Sequence, residues 1–236
     1  MIKDYVAFDL ETSGLSPAED EIIEIGALKV RDGKVVDRFI EFVKPENPIP
    51  TSITQITGIT NAMVADARDT KEIMCDFVSF CGDDVLLGHN ILFDYSFCKN
   101  YAKRYGHPFE KQGIDTLKIA RKVHKELPSK SLGALCAYYE LVNQAAHRAY
   151  HDALATAKLY QCLAHHFEEK EPKLFVPVQL QYKQKKAQPA TKKQLDFLQA
   201  LCEQNEIQMN SIDALTRSEA SKMIDRILSG DWRNGL

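Results

Sequence analysis

The stretch Val6–Pro17, VAFDLETSGLSP, sets two acids, Asp9 and Glu11, into an otherwise apolar strand pattern. Residues i and i+2 of a strand share a face, so both carboxylates point the same way. A buried, unpartnered carboxylate is costly, and two side by side also repel. A shared proton or a cation relieves that conflict. The competing reading ends the strand at Phe8 and leaves both acids in a solvated turn, helped by Gly14 and Pro17. The stretch alone does not choose between the two.

Outward from this stretch, Glu21 to Val43 alternates apolar and polar residues on either side of Arg31-Asp32-Gly33-Lys34. An Asp-Gly turn between such runs signals a β-hairpin, so with Tyr5 to Leu10 three strands open the chain. Helical spacing follows, where Asp69 and Glu72 form a capping-box pattern before Ile73, Phe77 and Phe80. Val85 to Gly88 reads as a buried parallel strand. Helices are expected over 94–105, 116–124 and 131–141, then a long one from His147 to Phe167. Strands first, then helices interleaved with a strand, indicate an α/β fold with a mixed sheet flanked by helices.

The pattern dissolves over 169–190, a proline- and lysine-bearing segment that reads as a linker. Beyond it, Thr191 with Gln194 and Thr216 with Glu219 each form a capping-box pattern ahead of an amphipathic run. Residues 191–236 are therefore expected to form a small helical module, and 1–168 the main domain. The 236 residues are 44% hydrophobic and 27% charged, as in an ordinary globular protein. The six cysteines show no CxxC pair or zinc-finger spacing, so reduced, buried, inert thiols are expected. Neither a signal peptide nor a long apolar run is visible, so a cytoplasmic protein without a membrane partner is expected. The net charge of −3 is concentrated in the main domain, a poor match to nucleic acid unless cations intervene.

Two further acids stand in comparable places. Asp94, in LLGHNILFDYSF, follows the buried strand and opens a helix; a helix N-cap is its plain role. Asp152, in AHRAYHDALATA, lies early in the long helix, where the N-terminal dipole favours it. His147 precedes Asp152 by five residues. In a regular helix of about 100° per residue these two would diverge by roughly 140°, so facing one site requires an irregular turn.

Together these residues resemble the DEDDh (DnaQ-like) 3′→5′ exonucleases, the branch typified by the proofreading epsilon subunit of bacterial DNA polymerase III. The family motif DxExxG reads Asp9-Leu10-Glu11-Thr12-Ser13-Gly14; HNxxFD reads His89-Asn90-Ile91-Leu92-Phe93-Asp94; HxAxxD reads His147-Arg148-Ala149-Tyr150-His151-Asp152. All three occur in order, and the likeness covers roughly 1–168. Arg148 stands where the tyrosine branch of the superfamily would carry its tyrosine.

The resemblance implies a ribonuclease H-like fold and hydrolysis of phosphodiester bonds at a DNA 3′ end, with release of nucleoside 5′-monophosphates. It implies two divalent cations, Mg²⁺ or Mn²⁺, held by Asp9, Glu11, Asp94 and Asp152: Asp9 shared, Glu11 and Asp152 on one ion, Asp94 on the other. His147 is then the general base, a task suited to imidazole, with His151 as rival. Thr12, Leu15, Asn90 and Phe93 are expected to meet the terminal nucleotide, Leu15 as an apolar wedge, although core packing also accounts for Phe93. Asp115 reads as a helix cap. Arg148 and the lysines 183, 185, 186, 192 and 193 are candidate phosphate contacts, or merely solvated charges. The C-terminal module could recruit a polymerase or helicase partner. RNA trimming on the same fold is the alternative activity, and a non-catalytic nucleic-acid-binding module the more distant one.

Overall fold

The computed structural model describes residues 1–143, 146–183, 188–209 and 211–230. Lys185 and Lys186, and residues 231–236 of the C-terminal module, lie outside these. In chain order the elements are β1 (Tyr5–Thr12), β2 (Ile22–Arg31), β3 (Lys34–Lys44), α1 (Thr51–Thr57), α2 (Asn61–Val64), β4 (Arg68–Asp69), α3 (Thr70–Cys81) and β5 (Leu86–Gly88). Then come α4 (Leu92–Arg104), β6 (Gln112–Asp115), α5 (Thr116–Val123), α6 (Leu132–Tyr138), α7 (Ala149–Phe167), β7 (Val178–Gln179), α8 (Lys192–Gln204) and α9 (Arg217–Ser229). The described strands form one sheet in the order β4-β3-β2-β1-β5-β6-β7. The β1–β2 and β2–β3 pairs are antiparallel; β1–β5 and β5–β6 are parallel.

Strand alternation divides the core. Even-numbered residues of β1, Val6, Phe8 and Leu10, pack with Ile73 and Phe77 of α3 and with Tyr95 and Phe97 of α4. Odd-numbered Tyr5 and Ala7 pack on the opposite face with Leu28 of β2 and with Leu159, Tyr160 and Leu163 of α7. The strand thus ends at Thr12 and not at Phe8, and Asp9 and Glu11 continue the odd face toward the start of α7. The turn reading of these acids is excluded.

Three expectations are corrected. The long helix begins at Ala149, with Arg148 as its N-cap and His147 outside it at φ 63°. The segment read as linker is partly built into the domain: β7 lies at the sheet edge antiparallel to β6, and Phe175 and Leu180 are buried. Burying two apolar side chains outweighs the segment's polar composition. All six cysteines are free, but Cys75 is exposed and Cys162 half-buried. The C-terminal capping boxes form at Thr191 and Thr216, and Leu198, Leu201, Cys202 and Ile227 make a small core between α8 and α9. No helix among the described residues is long and apolar enough to cross a membrane.

Candidate active site

Each acid reaches the site from a different element. Asp9 and Glu11 come from β1, in register with Gly26 and Glu24 of β2. Asp94, in the first turn of α4, is 3% exposed, and its Oδ1 accepts the Leu10 N–H at 3.1 Å, which ties the helix to β1 between the two strand acids. Asp152 comes from the first turn of α7. Its Oδ1 accepts Asn143 Nδ2 at 2.7 Å, and its Oδ2 accepts the His147 backbone N–H at 2.9 Å. His147 makes that second bond with its backbone in the left-handed region, at φ 63°. The irregular turn expected between His147 and Asp152 is therefore present, and the Asp152 carboxylate fastens it.

Ligand atoms of Glu11, His147 and Asp152 lie within 4.8 Å of one another, close enough to hold one metal ion. Asp9 and Asp94 crowd the same end of β1. Burial, followed by the carboxylates of Asp94, Asp152, Glu11 and Glu24, holds the Asp9 carboxyl well above the usual range. Burial is also the main cause that pushes Glu11 up to about 8, aided by Asp152, Glu24 and Asp94 and opposed by the Arg148 guanidinium. Asp94 is likewise pushed up to about 8 by burial, against backbone N–H groups that pull it down. Acids this crowded hold protons or a cation, and a hard oxygen donor set with one imidazole fits Mg²⁺ or Mn²⁺.

The neighbouring motif residues have structural duties. His89 Nε2 donates to the Lys130 carbonyl at 2.9 Å, which leaves Nδ1 to accept from the Thr116 hydroxyl at 2.9 Å. Burial pushes its pKa down, so His89 is a neutral strut between β5 and the loop before α6. Asp115 caps α5, accepting from Leu117 and Lys118, and also accepts the Asn90 N–H at 3.0 Å, which holds Asn90 at φ 67°. Phe93 packs on Phe97 with ring centroids 5.2 Å apart and is half-buried, so core packing accounts for part of its role. Thr12 is buried and donates its hydroxyl to the Gly14 carbonyl at 2.7 Å, whereas Leu15 is 83% exposed. His151 lies against Tyr150.

Residues 6–160 match the family profile described as Exonuclease (RNase_T). The chain belongs to this exonuclease family. It is 43% identical over 157 residues to the PolC-type DNA polymerase III of Caldanaerobacter subterraneus subsp. tengcongensis, covering 66% of this chain and 11% of the relative. Against the PolC-type DNA polymerase III of Bacillus subtilis it is 40% identical over 158 residues, again covering 66% and 11%. The chain thus matches about a tenth of the length of these relatives. Among solved structures, Exonuclease X in complex with 5′ overhanging duplex DNA aligns with TM-score 0.55 at 29% identity, covering 69% of this chain and 92% of that one. Exonuclease I of E. coli in complex with a dT13 oligonucleotide aligns with TM-score 0.63 at 20% identity, covering 74% and 43%, and shares the fold.

Two residues of this exonuclease domain escape the motif reading. Glu24, 2% exposed, accepts Arg148 Nη2 at 2.8 Å, Arg148 Nε at 3.2 Å on both oxygens and the Ala149 N–H at 3.1 Å. Arg148, a candidate phosphate contact, is therefore engaged with Glu24 and stacks over Phe42 at 5.3 Å. Gly26 lies under the start of α7, where a Cβ would come within 1.9 Å of the Tyr150 nitrogen. The signals were available: an acid between isoleucines in a buried strand, and a lone glycine inside a strand pattern.

Proposed function

We propose that the chain is a divalent-cation-dependent 3′→5′ exonuclease that removes nucleoside 5′-monophosphates from DNA, with single-stranded or frayed ends preferred. The observation that carries this reading is the convergence of Glu11, His147 and Asp152 within 4.8 Å beside the half-buried Asp9 and the buried Asp94. Asp9, Glu11, Asp94 and Asp152 are the residues that would hold two cations, Mg²⁺ or Mn²⁺. Bound there, such ions supply charge neutralisation on the scissile phosphate and make water a stronger acid.

The chain's own groups do the rest. His147 is exposed beside the cluster, where its imidazole takes the proton from the attacking water. The bond from its backbone to Asp152 fixes where that ring stands. Leu15, Thr12, Asn90 and Phe93 flank the acids along the chain and receive the terminal nucleotide, Leu15 serving as the wedge. DNA is favoured over RNA by the PolC-type relatives and by the duplex DNA bound to Exonuclease X.

The test uses matched 5′-labelled single-stranded DNA and RNA oligomers with Mn²⁺. The wild-type chain should give a ladder shortening from the 3′ end, faster on DNA. Asp9→Ala or His147→Ala should slow it by a factor on the order of 100 or more. A wild-type protein that leaves both oligomers intact refutes the proposal, and a faster RNA ladder replaces it with RNA trimming.

A further inference from the structure

The turn between β1 and β2 presents Leu15 to solvent four residues beyond Glu11, and it is fastened from several sides. Thr12 bonds the Gly14 carbonyl, Asn100 Nδ2 donates to the Pro17 carbonyl at 2.5 Å, and the Glu19 and Asp20 amides donate to the Ser16 carbonyl at 3.0 and 2.7 Å. At its centre is Asp20, 4% exposed, whose Oδ2 accepts the Ser16 N–H at 2.7 Å. Gly14 packs so close that a Cβ there would come within 2.4 Å of the Asp20 carboxylate. The conformation that carries Leu15 is therefore built around one buried charge.

The counter-ion for that charge comes from the far end of the chain. Asp20 Oδ1 accepts no hydrogen bond from other described groups, and Lys222 Nζ sits 2.5 Å from it. The same ammonium donates to the Glu19 carbonyl at 2.9 Å. Lys222 lies on α9, whose N-terminal turn is held by the Thr216–Glu219 capping box. The strand-like bridge Pro189–Thr216, with the Arg217 N–H on the Gln188 carbonyl, ties that turn to the segment leading into the module. A buried carboxylate demands a partner, and here the partner belongs to another module.

We propose that the C-terminal helical module is a clamp on the substrate-facing turn: through Lys222 it fixes residues 13–20 so that Leu15 is held in place against the 3′-terminal nucleotide of a DNA strand. Lys222 is then a positioning residue, acting on the nucleotide through Asp20 and the turn. The inference rests on the exonuclease reading, and it gives the module a task that needs no second protein.

The experiment uses the full chain and compares wild type, Lys222→Ala, Lys222→Arg, Leu15→Ala and the Leu15→Ala/Lys222→Ala pair. Hydrogen exchange should show the Ser16 and Asp20 amides losing protection in Lys222→Ala while the sheet amides keep theirs. The KM for a 5′-labelled 20-residue DNA oligomer should rise on the order of three- to tenfold, more than kcat falls, as expected when a charge-assisted contact is removed. Lys222→Arg should restore both readouts. Leu15→Ala should raise KM in the wild-type background and much less in the Lys222→Ala background, because coupled residues are not additive. The clamp is overturned if Lys222→Ala leaves turn protection and KM unchanged, if the two substitutions add, or if protection is lost throughout the sheet. A wild-type chain that cleaves nothing refutes the exonuclease reading separately, and the clamp is then decided by turn exchange and by the anisotropy of a fluorescein-labelled oligomer.

Discussion

Replacing Glu24 tests whether the exonuclease site is aimed by the second strand. Its carboxylate gathers two Arg148 nitrogens and the Ala149 N–H at the point where α7 begins. Glu24→Ala leaves that buried amide without an acceptor, costing about 1–3 kcal/mol. It also strands the Arg148 guanidinium, but that side chain is 37% exposed and water recovers most of its solvation, so about 1 kcal/mol is the appropriate figure. Against these stands a gain, because Glu24 is one of the charges that raise Asp9 and Glu11. The net loss is then roughly 2 to 3 kcal/mol, or a Tm lower by about 4 to 12 °C at this chain length.

The cost to activity follows from what the first turn of α7 carries. Asp152 lies in it, and His147 hangs from Asp152 by its backbone. A displacement on the order of 1 Å costs up to about 100-fold, so kcat of Glu24→Ala should fall about 10- to 100-fold. Glu24→Gln keeps an acceptor for Ala149 and should stay within about threefold of wild type, with a loss under about 1 kcal/mol. Calorimetry and single-turnover cleavage of labelled DNA measure the two quantities. A Glu24→Ala protein with unchanged Tm and kcat refutes the positioning argument; a Gln variant as damaged as the Ala one transfers the effect from the acceptor to the charge.

Two further perturbations act on the same end of β1. Gly26→Ala places a Cβ 1.9 Å from a backbone nitrogen of α7, so the helix must move; a stability loss of about 1–3 kcal/mol and a kcat at least about tenfold lower are expected, measured as above, and wild-type values would mean that the contact yields. The acids set the dependence of stability on pH: Glu11 and Asp94 at about 8 bind protons in the folded state that the unfolded chain, near pH 4, has already released. With a chelator present, stability should be highest at the acid end of this window and fall as pH rises from about 4 to about 8. Saturating Mg²⁺ should raise Tm at pH 8 far more than at pH 5, where protons compete, and a chelated protein that gains stability across the window would refute the crowding of charge.

The sequence makes the local patterns plain and leaves the long-range partnerships obscure. Asp9, Glu11, Asp94, His147 and Asp152 are legible because their spacing in three short motifs is itself the signal. The hairpin around Asp32-Gly33 and the capping boxes at Thr191 and Thr216 are legible for the same reason, being set by neighbours within a few residues. Glu24 and Arg148 are 124 residues apart, and neither shows its partner in its own surroundings. Arg148 therefore reads as a phosphate contact until the fold turns it inward. The edge strand β7 and its buried neighbour Leu180 are hidden in the same way, inside a segment whose prolines and lysines look like a tether. His147 is the intermediate case: its misfit to a regular helix can be worked out from the spacing, but only the carboxylate of Asp152 explains how the misfit is met.

The carboxylates derive their precision from the register of the core. Tyr5 and Ala7 hold one face of β1 under α7, and Val6, Phe8 and Leu10 hold the other against α3 and α4. A slip of one residue would exchange those faces, so packing forbids it and fixes where Asp9 and Glu11 emerge. Asp94 reads the same register through the Leu10 amide, and α7 reads it through Gly26 and Glu24. Each acid is thereby referenced to one strand, which holds their mutual repulsion at a fixed geometry for a cation to relieve. Leu15 lies beyond the last residue of β1, where no such packing reaches. Its turn needs a buried charge and a borrowed lysine to be equally well placed, and for that reason substitutions at Glu24 should act on kcat and those at Lys222 on KM.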